Sequence, residues 1–246
     1  MILKIVRDSV LYETEIKILK KLEAKGFTGF PKIIRVGLFS GCPCFVMKRC
    51  GNELAYFLNQ NSQMSFENAQ KVGIKLLTLL EQLHSIGYIH KDLKSSNILV
   101  GEYNCLNSLS DLKLIDFGLA SPYIKNEEMR KPLNEEEHVA YGSSSQAGNL
   151  AFCSFRTFKG VTLSRRDDIV SLGYLLLYLS SGTHPFIYDK DGNQSKQILK
   201  EQKLRMKPVE ICAQMKCEHL TPFLEEAYSI KFKEEPNYNK LRFLLE

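Results

Sequence analysis

The segment Ile89-His90-Lys91-Asp92-Leu93-Lys94-Ser95-Ser96-Asn97-Ile98-Leu99-Val100 constrains this chain more than any other. It places an Asp, a Lys and an Asn in one short loop that runs into an apolar strand. A second Asp follows at the end of another apolar strand, in Leu112-Lys113-Leu114-Ile115-Asp116-Phe117-Gly118. These residue types together make a site for magnesium-bound phosphate. Phosphoryl transfer asks for an Asp to orient the attacking hydroxyl, oxygen ligands for the metal, and cations for the developing charge. Asp92, Asn97, Asp116 and Lys94 supply these groups.

The two segments resemble the H-R-D-L-x-x-x-N catalytic loop and the D-F-G motif of eukaryotic protein kinases, with Lys91 in the place of the family's Arg. The resemblance implies an α+β, bilobal fold with a small β-rich N-lobe and a mainly helical C-lobe. It also implies ATP and Mg2+ as cofactors, with Asp92 as catalytic base and Asn97 and Asp116 as metal ligands. Lys94 resembles the lysine with which serine/threonine kinases steady the transferred phosphoryl group. Hydroxyl substrates of the Ser/Thr class are therefore expected.

Upstream, Ile2-Leu3-Lys4-Ile5-Val6 alternates as a strand does. Asp8 and Ser9 offer a helix start, and Tyr12, Ile16, Leu19 and Leu22 recur at helical spacing up to Gly26. In kinases this strand carries a Lys that holds the α- and β-phosphates, and the helix carries a Glu that pairs with it. Lys4 fits the first. Glu13, on the face of Ile16, is the expected partner, with Glu15 as the competing position. A hairpin is expected from Phe30-Pro31 to Met47, turning at Ser40-Gly41. By resemblance Met47 limits the depth of the adenine pocket, and backbone groups around Arg49 and Cys50 bind the base. The division implied is a partial N-lobe over 1–48, a hinge at 49–52 and a helical C-lobe over 53–246.

Ser65 reads as the cap of a long helix to His84, striped by Val72, Leu76, Leu80 and Leu83. His84 reads as a helix-end residue. The residues from Leu119 to Val139 open an activation segment with acidic runs at Glu127-Glu128 and Glu135-Glu136-Glu137. Serines 143–145 beyond it are open to phosphorylation.

Further on, Ser164-Arg165-Arg166-Asp167-Asp168-Ile169-Val170-Ser171-Leu172-Gly173-Tyr174 is similar to the casein kinase 1 family, which lacks the usual A-P-E. Here Ser154-Phe155-Arg156 takes that place. Lys207 to Cys212, Phe232 to Tyr238 and Leu241-Arg242 extend the likeness to the end of the chain. Asp168 is expected to turn back and bind backbone N–H groups of the catalytic loop. Arg165 and Arg166 read either as simple salt-bridge formers or, as the resemblance implies, as residues that help bind acidic or already phosphorylated protein substrates.

No G-x-G-x-x-G occurs in the sequence, and Asn149 and Ala151 replace a Thr and an Arg of the family. The expectation is an N-terminally incomplete kinase, the alternative a catalytically impaired pseudokinase that serves as a scaffold. The net charge of +5 is mild, so acidic partners are favoured without implying nucleic acid. The longest apolar run, Ile169 to Leu179, is far short of a membrane span. Seven scattered cysteines without zinc spacing suggest reduced thiols in a cytoplasmic or nuclear protein, acting as a monomer.

Overall fold

The computed structural model describes residues 1–61, 63–101, 111–126, 131–132, 149–186 and 196–246. The expected acidic runs of the activation segment and serines 143–145 lie outside the described residues.

The first unit is a strand β1 (Ile2–Ile5), a helix α1 (Ser9–Ala24) and a hairpin of β2 (Ile33–Phe39) and β3 (Cys42–Met47). The helix begins where Asp8 accepts hydrogen bonds from the backbone N–H groups of Val10 and Leu11, at 2.9 and 3.1 Å. At the hairpin turn Ser40 and Gly41 both take positive φ, 49° and 78°. That pair matches the twist of the flanking strands. The sheet order is β1-β3-β2, all antiparallel, so Lys4 stands opposite the buried Phe45.

The chain then enters a helical body through α2 (Leu54–Asn61) and α3 (Phe66–Ser85). Ser65 caps α3, accepting from the Asn68 N–H at 3.3 Å. After β4 (Tyr88–Ile89) come the short strands β5 (Ile98–Val100) and β6 (Leu112–Leu114), which pair antiparallel with Ile98 opposite Leu114. Next is β7 (Ser121–Pro122), which pairs with β4. Two further short strands follow, β8 (Ile124–Asn126) and β9 (Lys131–Pro132).

The axis of the body is α4 (Arg165–Ser181), buried on every side through Ile169, Val170, Leu172, Tyr174, Leu175, Leu176, Leu177 and Leu179. A helix apolar all round has to lie inside. Each of these side chains contributes about 1.5–3 kcal/mol of burial, which offsets the cost of two buried carboxylates, Asp167 and Asp168, in its first turn. Helix α3 packs close to α4 at Gly73. A Cβ there would lie 2.8 Å from Leu245 and 3.1 Å from Leu176. Helices α5 (Lys196–Arg205), α6 (Pro208–Gln214), α7 (Thr221–Ser229) and α8 (Tyr238–Phe243) complete the body. The α+β arrangement expected from the motifs is the one found. Among the described residues no helix is long and apolar enough to cross a membrane.

Candidate active site

Two loops meet because two strands pair. With β5 beside β6, the Ile115 N–H donates to the Asn97 carbonyl at 2.9 Å, and the His90 ring nitrogen Nε2 lies 3.1 Å from the Ile115 carbonyl. Asp92 and Asn97 on one loop are thereby set beside Asp116 on the other. Phe117 is fully buried, its ring 5.3 Å from that of His90 and 6.0 Å from that of Phe30. It pins the second loop while leaving the Asp116 side chain 43% exposed. Lys91 and Asp116 both adopt left-handed backbone, with φ of 67° and 66°. Such conformations cost energy in residues with a Cβ and cluster at functional sites.

Within the first loop the Asp92, Lys94 and Asn97 side chains hold one another. The Asn97 side-chain amide donates to the Asp92 carbonyl at 2.9 Å and to Asp92 Oδ2 at 3.1 Å. Both of its hydrogens are thus engaged, and Oδ1 is the atom left to meet a cation. Lys94 Nζ donates to Asp92 Oδ2 at 2.6 Å. The other carboxylate oxygen, Oδ1, accepts from the Asn149 backbone N–H at 2.8 Å. Where the sequence has lost a Thr, a backbone donor therefore holds the same carboxylate.

The sheet delivers the cation. Lys4 Nζ donates to both carboxylate oxygens of Glu15 and to Asp116 Oδ1, each at 2.8 Å. Burial alone would lower the Lys4 pKa, but Glu15 and Asp116 outweigh it and hold it above the ordinary value. Asp116 is held below the ordinary carboxylate value, since Lys4 outweighs the opposing effect of burial. The expected partner Glu13 is not part of this cluster. It is exposed, whereas Glu15 is 3% exposed and shares the inward face with Ile18, Leu19 and Leu22. The spacing 15, 18, 19, 22 is a cleaner helical stripe than the one through Tyr12 and Ile16, which are only partly buried. Ile18 was the missing signal.

Met47 ends β3 opposite Ile2 and Ile33, partly buried against the core. Arg49 and Cys50 follow it in the connection to α2. With Lys48 they border a cavity of about 300 Å3 whose other walls include Phe30, Pro31 and Lys113.

Asp168 anchors the catalytic loop from α4. Its Oδ2 accepts from the His90 backbone N–H at 2.7 Å and its Oδ1 from the Lys91 N–H at 2.9 Å. His84 Nε2 lies 2.9 Å from the same Oδ2, and its Nδ1 lies 2.6 Å from the Tyr238 hydroxyl. Although burial works against it, these partners, His84 foremost, hold the Asp168 pKa below the ordinary value. His84 is thus more than a helix-end residue. It couples α3, α4 and α8 at 1% exposure.

Arg165 and Arg166 lie near carboxylates, 3.8 Å from Glu235 and from Asp167 respectively, as their reading as salt-bridge formers has it. Arg165 stacks on Tyr123 and donates to the Lys233 carbonyl at 3.2 Å, while Arg166 is 6% exposed over the Phe232 ring. Both side chains thus pack on aromatic rings besides their carboxylate neighbours. Arg156, in the place of the family's A-P-E glutamate, donates to the Tyr228 carbonyl at 2.9 Å and lies 3.6 Å from Asp167.

Residues 4–234 match the protein kinase domain model. Over 228 residues the chain is 30% identical to a probable casein kinase I homolog of Encephalitozoon cuniculi (strain GB-M1), covering 91% of this chain and 68% of that protein. It is 32% identical over 222 residues to the casein kinase 1-like protein HD16 of Oryza sativa subsp. japonica, covering 88% of this chain and 30% of that one. To the serine/threonine-protein kinase VRK2 of Homo sapiens it is 29% identical over 204 residues, covering 81% of this chain and 38% of that protein. The chain thus spans about a third of the length of the latter two relatives.

Proposed function

The chain belongs to the protein kinase family, on its casein kinase 1 branch, and from that premise we propose that it transfers the γ-phosphoryl group of ATP to Ser or Thr hydroxyls of proteins. The observation that carries this is the Asp92 carboxylate, held at both oxygens by Asn149, Lys94 and Asn97.

A carboxylate fixed in this way can orient an incoming hydroxyl and accept its proton. Lys94 brings a positive charge to the same point, where it meets charge developing on the transferred group. Lys4, preorganised by Glu15, neutralises the phosphates that remain on the nucleotide. The Asp116 carboxylate and the free Oδ1 of Asn97 are hard oxygen donors of the kind that suit Mg2+. These two side chains would hold Mg2+, which would supply charge neutralisation for the phosphates. Backbone groups around Arg49 and Cys50 take the base, with Met47 at the back of its pocket.

Substrates with acidic or already phosphorylated segments are favoured by the net charge of +5 and by the casein kinase likeness. Cysteines that are free thiols among the described residues suit a monomer of the cytoplasm or nucleus. The absence of a G-x-G-x-x-G sequence favours a second reading, a scaffold of the same fold. Transfer of radiolabelled phosphate to an acidic peptide separates the two. Signal from the native chain, lost in Asp92→Asn, is expected; equal signal from both proteins, or none from the native chain, replaces the enzyme with the scaffold.

A further inference from the structure

Lys203 is a lysine at 1% exposure in α5, far along the chain from the catalytic motifs. Its ammonium is walled by three aromatic rings, with centroids 4.7 Å (Tyr174), 4.8 Å (Phe186) and 5.9 Å (Phe158) away. Among the described residues no carboxylate pairs with it. Its hydrogen bond goes to the Cys153 backbone carbonyl at 2.5 Å, with the Cys153 sulfur 3.8 Å away. Burying a cation is costly unless its surroundings need it. Among the described residues, the cation–π walls and the bonds to the Cys153 carbonyl and sulfur are its compensation.

What that bond holds is the loop that touches the catalytic carboxylate. The Cys153 N–H donates to the Asn149 carbonyl at 3.0 Å, as does the Phe152 N–H at 3.1 Å. The Ala151 N–H closes the turn on Asn149 Oδ1 at 2.9 Å. Asn149 in turn presents its own N–H to Asp92 Oδ1 at 2.8 Å. We propose that Lys203 is a positioning residue for phosphoryl transfer, fixing the 149–153 turn from below so that the Asn149 N–H sets the orientation of Asp92. The inference rests on the reading of Asp92 as the group that meets the substrate hydroxyl.

The device is sensitive to pH. Burial pushes the Lys203 ammonium down to about 8. Above that pH the neutral amine keeps a weaker hydrogen bond and no attraction to the ring faces. Among the described residues, the titratable groups around it are the Cys153 thiol, Tyr174, whose ring it faces and whose hydroxyl bonds Tyr228, and His184. Burial raises Tyr174 well above 10 and, with the Lys203 charge, lowers His184 below 6.5, so neither changes charge near pH 8. Cys153 is separated from Lys203 by mutation.

The linkage sign makes the effect distinctive. The unfolded chain holds the Lys203 proton up to about 10.5, the folded chain only to about 8, so between these values this group makes folding more favourable as pH rises. A looser turn in a more stable protein is not what a merely structural residue produces.

The experiment follows kcat for an acidic peptide and the Asn149 amide resonance of the native chain, Lys203→Met and Cys153→Ala from pH 7 to 9.5. In the native chain and in Cys153→Ala, kcat is expected to fall about three- to tenfold and the amide to shift, both with a midpoint near 8. In Lys203→Met both curves are expected to be flat through that range. A midpoint near 8 that persists in Lys203→Met, disappears in Cys153→Ala, or is missing from the native chain overturns the proposal. Should the native chain transfer no phosphate at any pH, the kinase reading fails, while the amide titration still decides the tether. Should Lys203→Met not fold, the comparison of the native chain with Cys153→Ala decides it on the same criterion.

Discussion

Replacing Glu15 by Gln keeps the shape of the side chain and removes its charge. In the structure that charge faces Lys4 through two contacts of 2.8 Å, with the Glu15 side chain 4% and the Lys4 side chain 28% exposed. A charge-assisted hydrogen bond is worth about 1.5–3 kcal/mol and a neutral one about 0.5–1.5, so the change removes about 1–2 kcal/mol of positioning. Asp116 remains as a second partner for the ammonium, which keeps the loss from reaching the value for a fully orphaned charge. At 1.36 kcal/mol per tenfold, kcat/KM for ATP should fall about 5- to 30-fold. The matching change Glu13→Gln touches an exposed side chain and should cost less than about twofold, since surface substitutions stay within roughly 0.5 kcal/mol. Steady-state phosphoryl transfer to an acidic peptide at varied ATP measures both. Equal losses in the two variants, or an unaffected Glu15→Gln, would show that Lys4 is not organised by its neighbour on the buried stripe.

Two further outcomes follow from the anchor in α4 and from the carboxylates of the cleft. Asp168→Ala removes the acceptor of two backbone N–H groups and strands the buried His84, so the urea unfolding free energy should drop by about 3–5 kcal/mol; a loss under about 1 kcal/mol would refute the anchoring role. For Asp116 and Asp168 the folded pKa lies below the ordinary 3.8, so their stabilisation is complete above that value and disappears as pH falls through the depressed folded one. Because the raised Glu15 and Asp167 act in the opposite sense, the test is a difference: below about pH 4 the urea midpoint of the native chain should fall relative to variants lacking the Asp116 or Asp168 charge, such as Asp168→Asn.

The grouping of Asp92, Lys94 and Asn97 was readable because it is local. His90 to Asn97 and Asp116 to Gly118 carry their roles in contiguous residues, and the strands beside them are apolar enough to fix the ends. Residues whose roles depend on tertiary direction were harder to read. Glu13 and Glu15 differ by 200° around a helix, and only the choice of stripe separates them. The burial of Arg165 and Arg166 depends on Tyr123 and Phe232, which come from distant segments. His84 pairs with Asp168 and Tyr238, 84 and 154 residues further on, and no periodicity encodes that meeting. The Asn149 N–H is a backbone donor, so the residue name that departs from the family gave no hint that the bond survives.

The hydrogen bonds from Asp168 to the amides of His90 and Lys91 carry a further consequence, for how the molecule breathes. Loops usually exchange their amide protons with solvent through small local openings. These two amides are gripped by a buried carboxylate of the core helix, so their protons should leave far more slowly than those of an ordinary loop. The loop that carries Asp92 would then be among the slowest-exchanging loops of the molecule, a surface segment with an interior's deuterium-exchange lifetime.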